Sequence, residues 1–190
     1  MIPSFSESDT GRYVCYVTNA SYPELTLSSD SLTLRMNASP DGIALSDTTI
    51  AENNAADTTV GQLSASDANR VDSHSYSLVS GDGNNDADND KFQINGDTLK
   101  ANTVFNYENQ AECNIYVQAT DKAGSSVKKA FTIAVKDQND APAFTSDPFT
   151  HAKEDSLYSY LVTIREEDGD TVVFQTSGLP DWLTLETSGS

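Results

Sequence analysis

The sequence predicts an all-β protein made of tandem antiparallel β-sandwiches with Greek-key connections, and three observations carry that expectation. Apolar residues at helical spacing are nearly absent, whereas short stretches of apolar and polar alternation recur along the chain. Gly, Asn, Asp, Ser and Pro separate those stretches, and these are the residues that favour tight turns. The composition, 37% hydrophobic with 8 Tyr and 7 Phe, is too polar for a compact enzyme and too rich in aromatics for a disordered chain.

Taken in order, the alternating stretches are 12–18 (RYVCYVT), 25–34, 59–65, 75–80, 114–120 and 127–136. In the last, Val127, then Ala130 or Phe131, then Ile133 and Val135 mark a buried face that is broken once. About seven strands fall between residues 43 and 136, the content of one sandwich of about 100 residues. Proline has no N–H to give a ladder and fixes its own φ, so Pro40 and Pro142 mark boundaries. Three pieces result, 1–39, 41–140 and 141–190, and only the middle one is long enough for a complete sandwich. The 190 residues are therefore expected to be one whole domain between parts of two others, within a longer tandem array.

Charge narrows the function classes. Asp plus Glu number 29 against 11 Lys plus Arg, a formal net charge of -18, and such an excess repels phosphate backbones and anionic headgroups. Nucleic acid is excluded as a partner on this ground, and any membrane association would run through an anchor outside this chain. No apolar stretch approaches the roughly 20 residues of a membrane span, and MIPSFSES has no leader pattern. An enzyme is not expected: His74 and His151 have no nearby nucleophile, and no GxSxG, HExxH or glycine-rich phosphate loop is present.

The N-terminal piece contains Asp9-Thr10-Gly11-Arg12-Tyr13-Val14-Cys15. This DxGxYxC string resembles the end of an immunoglobulin-like domain, where the Tyr hydroxyl bonds back to upstream backbone at a strand corner. Cys113 lies a whole domain away from Cys15 and is expected to be a buried free thiol, not its disulfide partner.

Carboxylates of the middle piece gather where strands end. Asp137-Gln138-Asn139-Asp140-Ala141-Pro142 follows a strong strand and spaces oxygens along an extended linker. A hard cation such as Ca2+ takes about six to eight oxygens from such groups. The string resembles the DxNDxxP linker of a cadherin-type repeat, here of bacterial type, and other motifs of that family follow the same order. Ile50-Ala51-Glu52-Asn53 resembles its short glutamate motif, and Asn106-Tyr107-Glu108 its DxE motif with Asn in the first place. Residues 164–170, IREEDGD, stand where the next domain of the family carries DxD acids.

The resemblance implies Ca2+ held by Glu52, Asn106, Glu108, Asp137, Asn139, Asp140, Glu166 and Asp168. A matching set at the other end of the domain would be Asp67, Asn69 and Asp121, although residues 36–41 contain no DxND run and leave Ca2+ there open. The acidic stretch 82–90 reads either as a solvated loop or as a peripheral Ca2+ site, and it lacks the Gly and Glu of an EF-hand.

The C-terminal piece, with Tyr158, Tyr160, Asp168-Gly169-Asp170 and a Trp182 expected in a core, resembles the start of a dystroglycan-type cadherin-like domain. The implied function is a Ca2+-stiffened adhesion segment of a secreted or cell-surface protein. Its expected partner is a cell-surface protein, a glycan or a second copy of the chain. An alternative is a pair of carbohydrate-binding modules, which would need exposed aromatics on one sheet face, with Tyr76, Tyr116, Tyr158 and Tyr160 as candidates.

Overall fold

The computed structural model describes Ser4, residues 6–68 and residues 73–186. Two short antiparallel pairs come first. β1 (Gly11–Tyr13) pairs with β4 (Leu32–Leu34), and β2 (Tyr16–Thr18) pairs with β3 (Thr26–Ser28). The continuous strands expected over 12–18 and 25–34 are each broken, because a side chain takes a ladder position. The Cys15 amide donates to Ser29 Oγ at 2.9 Å, and the Ser29 amide returns a bond to the Cys15 carbonyl at 2.8 Å. Tyr13 donates its hydroxyl to the Asp9 carbonyl at 2.7 Å, the bond that the DxGxYxC string implies.

Residues 42–136 form a β-sandwich. One sheet runs in the order β5 (Gly42–Leu45), β7 (Thr59–Ser66), β10 (Thr98–Ala101), β9 (Phe92–Asn95). The other runs β6 (Thr49–Ala51), β12 (Ser126–Lys136), β11 (Glu112–Thr120), β8 (Ser75–Leu78). All pairings in this domain are antiparallel except β6 with β12. There are thus eight strands rather than about seven, since the first one divides between the two sheets. Asp47 makes that crossing: its Oδ1 accepts from both the Thr49 amide and the Thr49 hydroxyl at 2.9 Å, an Asx turn between β5 and β6.

Alternation settles the core. In β11 every second residue, Cys113, Ile115, Val117 and Ala119, is completely buried. They meet Val60, Leu63, Leu99 and Ala101 of the facing sheet, while Phe92 and Phe105 pack ring to ring at 5.2 Å. Each large apolar side chain so buried contributes roughly 1.5–3 kcal/mol. In β12 the buried residues are Phe131, Ile133 and Val135. The break in that face is Lys129, whose ammonium lies 5.0 Å from the Phe131 ring centroid and donates to the Ile43 carbonyl at 2.9 Å.

Beyond the domain, β13 (Ala143–Phe144) pairs with β14 (Ile164–Arg165). Trp182 is 73% exposed, in contrast to its expected place in a core, because no second layer covers 141–186 among the described residues.

Candidate metal centre at the end of the domain

Glu52 sits just past β6 and is 1% exposed. Its Oε2 accepts from the Tyr107 amide at 2.7 Å and its Oε1 from the Gln138 amide at 2.7 Å. One buried carboxylate therefore ties the segment carrying Glu108 to the linker carrying Asp137, which assembles the acids at one place. A carboxylate oxygen from each of Glu52, Glu108 and Asp137 lies within 4.8 Å of the others. A second set at the same spacing comprises Glu108, Asp140 and Glu167, so Glu108 is common to both. Two oxygens bound to one Ca2+ at about 2.3–2.6 Å can be at most about 5 Å apart, and both sets meet that limit.

The segment 164–170 closes the site from the far side. The Asp140 amide donates to Asp168 Oδ2 at 2.6 Å, and Asn53 Nδ2 donates to Asp140 Oδ1 at 2.7 Å. Asp168 Oδ1 is buried and has no hydrogen-bond partner. A buried anionic oxygen without a donor is costly, and a cation satisfies it. Repulsion in the cluster shows in its titration. The Asp137 carboxyl lies above the ordinary range, through desolvation first and then the charges of Asp168 and Glu52. Glu108 is also raised: its own amide pulls it down, but desolvation and the charges of Glu52, Asp168 and Asp137 outweigh that bond. The donor set, all carboxylate oxygens with one unsatisfied, suits a hard divalent cation.

Three of the expected ligands make hydrogen bonds of their own. Glu166 caps its own loop, accepting from the Asp168 amide at 3.2 Å and the Asp170 amide at 2.8 Å. Its neighbour Glu167 turns inward instead, held by Arg165 at 2.6 Å and by Asn106 Nδ2 at 2.8 Å. Asn106 uses its oxygen on the Asn109 amide at 2.8 Å and so acts as a donor towards the cluster. Asn139 is exposed, its amide directed to the Asp140 carbonyl at 3.3 Å. The sequence carried no signal for Glu167, since adjacent acids cannot be told apart without the turn.

At the opposite end of the domain, Asp67 and Asp121 enter no such cluster among the described residues, and Asn69 lies outside those residues. The Asp67 side chain, 2% exposed, faces His74 Nε2 at 3.4 Å. Asp121 is 6% exposed; its Oδ1 accepts from the Ala123 and Ser125 amides and its Oδ2 from Asn37 Nδ2 at 2.8 Å. In the 82–90 loop two acids bond nearby backbone. Asp82 Oδ1 accepts the Asn84 and Asn85 amides, and Asp86 accepts those of Gly81 and Gly83.

The tyrosines form no stripe on a single face. Tyr76 is paired with the inward-facing Ala119, while Tyr116 lies on the other face of β11. Tyr158 and Tyr160 bond locally to the Phe149 carbonyl and to Ser146 Oγ.

Residues 46–136 match the cadherin domain family model. Over 63 residues, 32% of the chain, the sequence is 38% identical to human Protocadherin Fat 1, of whose length the chain spans about 1%. Similar solved structures include Protocadherin Gamma B2 extracellular cadherin domains 3-6, 24% identical with a TM-score of 0.46 over 75% of this chain and 37% of that one. Human Protocadherin-24 EC1-2 is 19% identical with a TM-score of 0.46, over 69% of this chain and 62% of that one. By its family match and by the order of its acidic motifs along a two-sheet sandwich, the chain carries a cadherin domain at residues 46–136.

Proposed function

We propose that this chain is part of an extracellular or cell-surface adhesion protein in which Ca2+ at the C-terminal end of the cadherin domain stiffens the junction to residues 141–186. The observation that carries the proposal is the convergence of Glu52, Glu108, Asp137 and Asp140 with Glu167 and Asp168 from beyond the linker, around a buried carboxylate oxygen without a partner. Without metal, these charges repel and the junction loosens. Bound Ca2+ supplies the neutralising charge, while the chain's part is to bring oxygens from both sides of residues 137–142 to one point.

Extracellular Ca2+ modules bind with Kd of about 0.1–1 mM, so millimolar Ca2+ at about ten times Kd adds only about 1.4 kcal/mol per site. Stiffness and protection of the linker are therefore the larger gain. The partner is a cell-surface protein, a glycan or a second copy, reached through a protein that extends beyond these residues. The corner bond of Tyr13 supports reading 1–39 as the end of an immunoglobulin-like domain, and residues 141–190 are taken as the start of a dystroglycan-type cadherin-like domain. The carbohydrate-module alternative gains no support, since its four tyrosines share no face.

Small-angle scattering and thermal melting in chelator and in millimolar Ca2+ test the proposal. A lengthened, narrower distance distribution and a raised Tm with Ca2+ are expected. Identical curves in the two conditions overturn it.

A further inference from the structure

Both ends of the domain carry acids, yet the structure handles them differently. Counting back from the linker prolines makes the contrast explicit. The positions five, three and two residues before Pro142 hold Asp137, Asn139 and Asp140; the same positions before Pro40 hold Arg35, Asn37 and Ala38. Both linker carboxylates are gone at the N-terminal end, one of them replaced by a cation.

Only the asparagine remains there, and it does what a metal would otherwise do. Asn37 Nδ2 lies 2.8 Å from Asp121 Oδ2 and 3.2 Å from Ser125 Oγ. The other oxygen of Asp121 is already taken by the Ala123 and Ser125 amides at 2.9 and 2.8 Å. The Asp41 amide bonds the Ser66 carbonyl at 2.8 Å, and Pro40 is buried, so the linker is docked at several points.

We infer that the junction at residues 37–41 is closed by the Asn37 amide on Asp121 and not by Ca2+, so that the domain has one cation-dependent end and one cation-independent end. The closure by Asn37 stands whether or not the C-terminal end binds Ca2+, because it rests on different residues; the contrast between the ends rests on the proposed Ca2+ site. Both carboxylate oxygens of Asp121 already accept nitrogen donors, and the linker positions that hold Asp137 and Asp140 at the other end hold Arg35 and Ala38 here. A Ca2+ ion binding Asp121 Oδ2 would have to compete with the Asn37 amide for that oxygen.

Trypsin reads both ends in one experiment, since Arg35–Met36 lies beside Asn37 and Lys136–Asp137 opens the other linker. Cleavage at each bond is followed by mass spectrometry on the full chain, in chelator and in millimolar Ca2+. For the unaltered chain, cleavage after Arg35 should proceed at the same rate in both conditions. Asn37→Ala should speed that cleavage about 2- to 10-fold, the range for one lost hydrogen bond, equally with and without Ca2+. Asn37→Asp places a second carboxylate against Asp121 and should make cleavage after Arg35 sensitive to Ca2+. Unchanged protection of Cys113 from alkylation confirms that each variant remains folded. Ca2+-dependent cleavage after Arg35 in the unaltered chain overturns the inference, as does an Asn37→Ala rate equal to that of the unaltered chain. The Lys136 bond reports separately on the Ca2+ proposal for the other end.

Discussion

The C-terminal end of the cadherin domain holds its acids in surplus, whereas the N-terminal end gives Asp67 and Asp121 each a partner. At the first, Glu52, Glu108, Asp137, Asp140, Glu167 and Asp168 crowd together and one buried oxygen lacks any donor. At the second, Asp121 receives three nitrogen donors and Asp67 faces His74. Both ends hold acids of the domain itself, and what separates them is that one linker delivers further carboxylates, Asp137 and Asp140, while the other delivers the Asn37 amide. The difference is one of local charge balance, and it can be broken from either side.

The largest effect is expected at Glu52. Glu52→Ala leaves the partly buried Tyr107 and Gln138 amides without their acceptors, and each such loss costs about 1–3 kcal/mol. A fall of about 2–6 kcal/mol in unfolding free energy by denaturant titration is predicted, together with loss of the Ca2+ response. Glu52→Gln keeps one acceptor and should cost less in stability while still weakening Ca2+. Comparable stability of Glu52→Ala and the parent chain would show that this carboxylate does not organise the linker.

Next in size is Asp121→Asn, which turns an NH2 group towards the Asn37 amide. A loss of about 1 kcal/mol is expected, identical in chelator and in Ca2+. A loss seen only in Ca2+ would assign a metal to this end.

The two ends also diverge with pH. Asp137 and Glu108 have raised carboxyls in the metal-free fold, so the penalty for their charge is present at neutral pH and disappears as pH falls through their folded values towards the ordinary value near 4. Ca2+ requires the charged forms. The Ca2+-induced rise in Tm should therefore shrink as pH falls through that window, when melts are recorded between about pH 7.5 and 4. Asp121 runs the other way. The Asn37 amide holds its carboxyl below the ordinary range, so its stabilisation is present above about 4 and is lost only below, as pH passes its depressed folded value. A Ca2+ shift that is constant across the window would contradict the clustering of charge.

The smallest effect serves as a control for all variants. Burial pushes the Cys113 thiol up to about 11, which leaves roughly one thiolate in a thousand at pH 8, whereas Cys15 is exposed. Native alkylation at pH 8 should label Cys15 alone, and labelling of Cys113 reports unfolding.

Much of the fold was legible because alternation is imposed by the pleat. Residues 114–120 and 127–136 fall within β11 and β12 with alternate residues buried, and Pro40 and Pro142 lie outside the sandwich strands. The motif order brought Glu52, Glu108, Asp137, Asp140 and Asp168 to one place. What escaped depends on single hydrogen bonds. Glu166 and Glu167 are adjacent and chemically equal, and only the caps on the Asp168 and Asp170 amides decide which one faces the cluster. Asn106 matches a ligand position, yet its oxygen closes a turn. The asymmetry of the two ends had a signal, in Arg35 and Ala38 set against Asp137 and Asp140, that emerges once both linkers are counted from their prolines. The strand at 12–18 was read as continuous because Ser29, fourteen residues on from Cys15, gave no sequence hint that it would interrupt the ladder.

The central claim, one cation site at the C-terminal end and none at the N-terminal end, is tested most directly by calorimetric titration of Ca2+ into the parent chain, the Glu108→Gln/Asp137→Asn double variant and Asp121→Asn. Binding heat should be present in the parent, absent or reduced at least tenfold in affinity in the double variant, and unchanged in stoichiometry and affinity in Asp121→Asn. Full binding by the double variant, or loss of bound Ca2+ in Asp121→Asn, would contradict the account.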